Sequence, residues 1–369
     1  MSGADLPRWV TLLLLPALNL LAALLVGGVL VAAIGEDPWR AMTLLVEGAV
    51  GFPEAIGFTL HYTTSFVFAG LAVAVAFHGG LFNIGAEGQA YIAGLGAALV
   101  CLALPGWHWA LVLPLALVAA MGSGAAWAAI PGWLQAYRGS HVVVTTIMFN
   151  FIASALMTWV LVDWLRAPGQ QAPESPQFHA STWLPFLHDM LAPLGLPRSP
   201  LNLAALIALA ACGLVWLFLW RSRRGYELRT VGANPQAAAY AGMPVRRTLF
   251  AVMLLSGGLA GLVAINEVMG VQHRLLLNFP GGAGFVGIAV ALMGRNHPVG
   301  ILVASLLFGA LYQGGAELSF EMQSITRDMV VAIQGLIILF CGALENLFRA
   351  PLERLFRPAG RSSPLSQSP

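Results

Sequence analysis

Long apolar runs, separated by charged residues or by Pro/Gly clusters, dominate the pattern of this chain. A helix needs roughly 20 apolar residues to cross the hydrocarbon of a bilayer. The runs at 9–34, 54–77, 81–104, 109–130, 142–164, 201–220, 248–270, 284–294, 298–314 and 327–347 predict ten crossings. The eighth and ninth are short and are interrupted by "GRNHPVG" (294–300). The pattern therefore predicts an all-α integral membrane protein of about ten transmembrane helices, with short or broken helices near 78–90 and 281–300.

Composition agrees. The 369 residues are 58% hydrophobic and only 9% charged, whereas a soluble domain carries about 25% charged residues. All 18 basic residues are arginines. Without a lysine the chain has no Walker A motif and no Schiff-base chemistry. Cys101, Cys212 and Cys341 lie far apart in apolar stretches and suit buried small hydrophobes rather than a disulfide frame or a zinc site. Arg8 precedes an apolar stretch longer than the roughly 7–15 residues of a signal-peptide core, which predicts a retained first span.

Arginine distribution orients the spans. With a cytoplasmic N-terminus and ten crossings, the inner side receives Arg8, Arg138, Arg221, Arg223, Arg224, Arg229, Arg246, Arg247, Arg295, Arg349, Arg354, Arg357 and Arg361. The outer side receives Arg40, Arg166, Arg198, Arg274 and Arg327. Both termini are then cytoplasmic. Residues 1–348 read as one polytopic domain with a Pro-rich outer loop at 165–200 and a main inner loop at 221–247, and 349–369 as a disordered cytoplasmic tail.

Polar residues within the apolar runs are the candidates for chemistry. "LFNIGAEGQAYIAG" (81–94) holds Asn83, Glu87 and Gln89 among glycines. If Asn83 caps the third span, Glu87 lies in its first two turns, where the helix dipole eases burial of a carboxylate. Two readings stand: a helix break at depth that lines a permeation path, or a cap near the cytoplasmic surface bonded to a neighbouring span. Asn150 lies eight residues into the fifth span and either lines the path or ties helices together. Glu267, beside Asn266 near the outer end of the seventh span, reads as a vestibule residue. "GSGAAWA" (122–128) and "GGLAG" (257–261) offer small faces for close helix packing. His297 precedes Pro298 in a turn, no second histidine lies at metal spacing, and no metal is assigned.

The inner loop, "RSRRGYELRTVGANPQAAAYAGMPVRR", holds six arginines that enforce topology. Its middle needs another explanation. Asn234 is a good N-cap, Pro235 suits the first helical position, "QAAAYA" forms helix, and Gly242 is placed for a C-cap ahead of Pro244. A helix this short is marginal alone and must dock, either into a cleft of a cytoplasmic partner or onto the spans.

"GANPQAAAYAGM" resembles the cytoplasmic coupling segment of bacterial ABC importer permeases for branched-chain amino acids, simple sugars and nucleosides. "FNIGAEGQ" (82–89), "HVVVTTIMFNFIA" (141–153) and "GFVGIAVALMGRNHPVGI" (284–301) agree, and together they resemble the longer permease of the nucleoside-type subgroup over about 54–347. His141 departs from the acidic residue often found there. The resemblance implies a non-enzymatic permease subunit in a bacterial inner membrane, moving a nucleoside or similar neutral polar solute by alternating access. Its partners would be a cytoplasmic ABC ATPase that uses the ATP, a second related permease, an extracytoplasmic binding protein docking near 36–53, 165–200 and 315–326, and membrane lipid. This chain itself would bind no cofactor and no nucleic acid. The resemblance gives the coupling role to Gly232, Ala233, Asn234, Pro235, Ala238, Tyr240 and Gly242, while the polar residues of the spans, Asn83, Glu87, Gln89, Asn150 and Glu267, are the pathway candidates.

Two other classes compete. An ion-coupled secondary transporter would share the broken helices and use Glu87 or Glu267 as coupling site, but has no ATPase to engage. An intramembrane serine hydrolase would need Ser123 of "MGSG" (121–124) with His141 or His273, and such Gly-Ser-Gly stretches are common in packed spans.

Overall fold

A computed structural model describes Val10 and residues 14–339, except 168 and 323. The tail 349–369, Cys341 and the ends of the first and last predicted spans lie outside the described residues. Those residues are helical nearly throughout, with two isolated antiparallel bridges and no strand among them.

In chain order the helices are α1 (Leu15–Ala33), α2 (Pro38–Val46), α3 (Pro53–His78), α4 (Ala86–Ala103), α5 (Trp109–Trp133) and α6 (Val142–Val160). Then come α7 (Leu187–Met190), α8 (Ala204–Arg221), α9 (Arg223–Ala233), α10 (Pro235–Tyr240), α11 (Val245–Gly261), α12 (Ala283–Met293), α13 (Pro298–Glu321) and α14 (Arg327–Ile338). Among the described residues seven helices are long and apolar enough to cross a membrane; α5, α6 and α11 reach Arg138, Leu165 and Gln272 through π-helical turns. Two shorter apolar helices, Leu24–Ala33 and Ala283–Met293, add to them.

The chain divides into two compact units. The smaller comprises the residues up to 42 and from 322. Within it α1 packs on α14, with Gly27 facing Ile333, and Ser324 donates to the Glu36 carboxylate.

The larger unit, 43–321, is built around α3. Pro53 starts this helix after an extended Phe52, with Glu54 in its first turn where the dipole favours an acid. Of its most apolar stretch 78% is enclosed by protein, against 22% for Val142–Leu165, so α3 is central and α6 peripheral. The other close pairs are α5 with α11 and α4 with α5. At the α5–α11 crossing a Cβ on Gly124 would stand 2.4 Å from the Gly257 carbonyl oxygen, and a Cβ on Gly257 2.5 Å from that of Gly124. The small faces at 122–128 and 257–261 thus bring two backbones into direct contact, as small residues do in membrane helix pairs.

Both predicted breaks are present. The first runs from Gly79 to Gly85, between α3 and α4. At the second, α12 has only 11 residues, entered through a non-helical stretch from His273 to Gly282 and left through a turn at 294–297. Loop 165–200 is folded rather than loose. Glu174 pairs with Arg274 at 2.9 Å, Ser175 and Phe178 N–H groups donate to the Leu275 and His273 carbonyls, and Trp183 stacks on His273 at 4.0 Å.

Candidate functional site

The two breaks meet at Glu87. Its Oε1 accepts from the Gly282 N–H at 2.8 Å and its Oε2 from the Gly284 N–H at 2.7 Å. Glu87 lies in the first turn of α4, and the two amides belong to the N-terminus of α12. The carboxylate therefore stands where two helix N-termini converge, each contributing partial positive charge. Glycine at 284 is required: a Cβ there would stand 2.2 Å from the Glu87 nitrogen. At Gly282 the backbone is left-handed, with φ 87°, which glycine adopts without strain.

Helical rise sets the distance of this meeting point from the 294–297 turn. The 294–297 turn packs at the end of α3 and α8, where His78 Nε2 lies 3.0 Å from the Asn296 carbonyl oxygen and the Trp220 ring is 4.9 Å from His297. From that turn the 11 residues of α12 climb about 16 Å at 1.5 Å each, roughly half the hydrocarbon thickness. Glu87 thus stands one full length of α12 away from the 294–297 turn.

Asn83 does not cap α4. Helix α4 begins at Ala86 after Gly85, with no side-chain cap. Asn83 stands before it, accepting from the Gly85 N–H at 2.9 Å and donating to Gln89 Oε1 and Ser256 Oγ at 2.8 Å each. Both Asn83 and Gln89 are fully enclosed. They brace the non-helical segment and do not border open space. Ser256 passes the bond on to the Ala72 carbonyl at 2.6 Å, tying the break to α3 and α11. Asn150 braces the break from α6. Its Nδ2 donates to the Ile84 carbonyl and its Oδ1 accepts from the Gly88 N–H, both at 2.9 Å.

Beside these residues lies a cavity of about 260 Å³. Glu87, Tyr91, Asn150, Ser154 and Asn278 supply its polar edge, and Phe151 and Phe285 supply aromatic wall. The Tyr91 hydroxyl accepts from the Asn278 N–H at 2.7 Å. Phe151 is 69% exposed, so this wall faces outward from the chain. The sequence reading did not single out Ser154, Asn278, Phe151 or Phe285, which line this cavity. "NFPGGAG" (278–284), a dense cluster of turn residues ahead of an apolar run, carried the available signal.

Glu267 belongs elsewhere. It is enclosed rather than set in an open vestibule: its Oε1 accepts from Ser65 Oγ at 2.7 Å and lies 3.4 Å from His61 Nε2. Asn266 continues the network to the His61 carbonyl and to Ser65 Oγ, and Asn202 Nδ2 donates to Asn266 Oδ1 at 3.0 Å. The physical reason is the π-helical stretch Ile265–Gln272, which turns Asn266 and Glu267 inward onto α3. His61, on α3, was the unrecognised partner. Ser123 donates to carbonyls of its own helix, Ala119 at 2.6 Å and Ala120 at 3.3 Å.

The inner segment has both ends fixed as the sequence indicated. Asn234 Oδ1 accepts from the Gln236 and Ala237 N–H groups at 3.0 Å, and Gly242, at φ 77°, closes α10 with Met243 N–H donating to the Ala238 carbonyl at 3.0 Å. Ala238 is buried and Tyr240 is 95% exposed. An additional helix, α9, precedes it, capped by Ser222 through the Gly225 N–H at 3.0 Å. The last turn of α9 rests on the first break: a Cβ on Gly232 would stand 2.1 Å from the His78 carbonyl oxygen, and one on Gly80 3.1 Å from that of Gly232.

Comparison with known proteins shows what this chain is similar to. The family described as "Branched-chain amino acid transport system / permease component" matches residues 55–342. The guanosine ABC transporter permease protein of Bacillus subtilis is 35% identical over 89% of this chain and 92% of its own. The glucose ABC transporter permease protein of Haloferax volcanii is 33% identical over 95% and 92%. The nucleoside ABC transporter permease protein of Lactococcus lactis is 31% identical over 89% and 90%.

Proposed function

Because this chain belongs to the permease-component family of branched-chain amino acid transport systems, we propose that it is the membrane subunit of an ATP-driven importer for a nucleoside or similar small neutral polar solute. The observation that carries the reading is α10: a helix of six residues, capped at both ends and with Tyr240 almost fully exposed. So short a helix is stable only when held, and here the chain holds it with an exposed aromatic outward. That suits a cleft in a cytoplasmic ATPase, which would bind and hydrolyse the ATP.

The path would run past the Glu87 cavity. Its polar edge of carboxylate, amide and hydroxyl groups beside aromatic wall suits a flat, hydrogen-bonding, uncharged solute, and relatives named for guanosine, nucleosides and glucose support that class. The exposed Phe151 wall leaves room for a second, related permease to complete the path. An extracytoplasmic binding protein would deliver the solute, the membrane would be the bacterial inner membrane, and both termini would be cytoplasmic. Ion coupling is not favoured, since Glu87 has both oxygens committed to backbone amides.

The test is purification from the native membrane in mild detergent, followed by uptake of labelled guanosine and glucose. The proposal expects a stoichiometric ATPase and a second permease to co-purify. It also expects Tyr240→Asp to insert normally while uptake falls to background. Uptake in ATP-free vesicles by the chain alone, or normal uptake by Tyr240→Asp, would sink it.

A further inference from the structure

A second cavity, of about 540 Å³, opens at the inner end of the larger unit, where α8, α9 and α11 meet. Its rim carries Arg224 and Arg247, and its interior is apolar, with Phe218, Val252 and Leu255 among its walls. Glu227 also borders it, but that carboxylate is already paired with Arg223 at 3.1 Å. Arg224 and Arg247 have no ion pair or hydrogen bond with the described residues. From Arg247 to Leu255 the wall follows α11 for eight residues, about 12 Å at 1.5 Å each. The cavity thus joins two free guanidinium groups at its rim to an apolar wall that follows α11, one of the helices apolar and long enough to cross a membrane.

We propose that this cavity is a binding site for one anionic phospholipid, its phosphate held between Arg224 and Arg247 and an acyl chain lying along Val252 and Leu255. The geometry selects a lipid over a soluble phosphate, because a soluble anion has no use for the apolar extension. It selects an anionic headgroup over a zwitterionic one, because two uncompensated positive charges stand at the rim. Guanidinium groups suit the phosphate, offering paired donors in a fixed plane. The site also bears on the inner segment, since Arg224 lies on α9, whose last turn rests on the break below Glu87.

The test uses the full chain, with whatever subunits accompany it, in nanodiscs of equal phosphatidylglycerol and phosphatidylcholine, with retained lipid read by native mass spectrometry. Wild type should retain phosphatidylglycerol in preference. Each arginine near an anionic headgroup is worth about fivefold, so Arg224→Gln with Arg247→Gln should lower that retention by roughly 30-fold. Leu255→Trp, which fills the channel and leaves both arginines in place, should also reduce it. Arg221→Gln, an arginine outside the cavity, should leave it unchanged. Equal retention of both lipids by wild type overturns the proposal. So does an equal loss in Arg221→Gln, or displacement of the lipid by inorganic phosphate. If the double arginine variant fails to fold, Leu255→Trp decides alone, and undiminished phosphatidylglycerol retention in it is fatal to the site.

Discussion

Glu87 accepts two backbone N–H groups through two oxygens, so the pair of bonds works only for a group with two acceptors. Glu87→Gln keeps the shape but turns one acceptor into a donor facing a donor. Charge-assisted bonds of this kind are worth about 1.5–3 kcal/mol, and the variant should lose stability on that scale, read as thermal unfolding in detergent, with uptake reduced at least about tenfold, a tenfold change being 1.4 kcal/mol. Unaltered unfolding and uptake would make the carboxylate incidental. Gly284→Val is the steric counterpart: its Cβ would overlap the Glu87 backbone, and the protein should fail to accumulate as a monodisperse species on size exclusion. At this scale the sequence announced Glu87 through its isolation among apolar residues and glycines. It could not announce the partners, because a backbone amide carries no residue identity. Whether Asn83 caps the helix was not legible for a similar reason: an Asn three residues before the first helical residue bonds the backbone in the same way as one that caps it, and only the start of α4 separates the two cases.

Helix α10 was legible because its stop signals are local: Asn-Pro at one end and Gly ahead of Pro at the other. Helix α9 was not, since its arginines are what any cytoplasmic loop contains and its cap, Ser222, sits in a run of charge. Asn234→Ala removes two bonds at the start of α10 and should cost about 1 kcal/mol of local stability, seen as faster amide exchange across 236–241 while the spans remain protected; unchanged exchange would show that docking alone holds the helix. The outer loop allows a test by pH. Burial lowers the His273 pKa below 6.5, its hydrogen bond to the Met269 carbonyl opposes this, and Arg274 adds to the lowering. The folded loop thus favours the neutral ring. Stability from this group is complete above about pH 6.5 and declines as pH falls below it, because the unfolded loop takes up the proton first. Protease cleavage within 170–200 should accelerate between pH 6.5 and 5 in wild type. It should stay level in His273→Phe, which keeps the stack on Trp183. A parallel acceleration in both would assign the effect to other groups.

Over the whole molecule the apolar runs conveyed an all-helical membrane fold and the positions of both breaks, since run length reports directly on crossing length. They did not convey which helix is central, because α3 and α6 are about equally apolar and differ only in what surrounds them. Nor did they show how far outer loop 165–200 is ordered, which depends on contacts nearly a hundred residues away. The α5–α11 crossing has a simple test: Gly124→Leu or Gly257→Leu would force two backbones apart, and either should destabilise the protein by more than about 2 kcal/mol in reversible unfolding. Indifference to both would mean the crossing is not tight.

The contact of Gly80 with Gly232 has a mechanical consequence. Where side chains separate two elements, a change of rotamer can absorb part of a small displacement. Here main chain bears on main chain with no side chain between them. A shift of Gly232 by an ångström cannot be cushioned; it must be taken up by residues 81–86, six positions at whose end stands Glu87. The joint behaves like a gear without backlash, and any larger side chain at either position would jam it rather than loosen it.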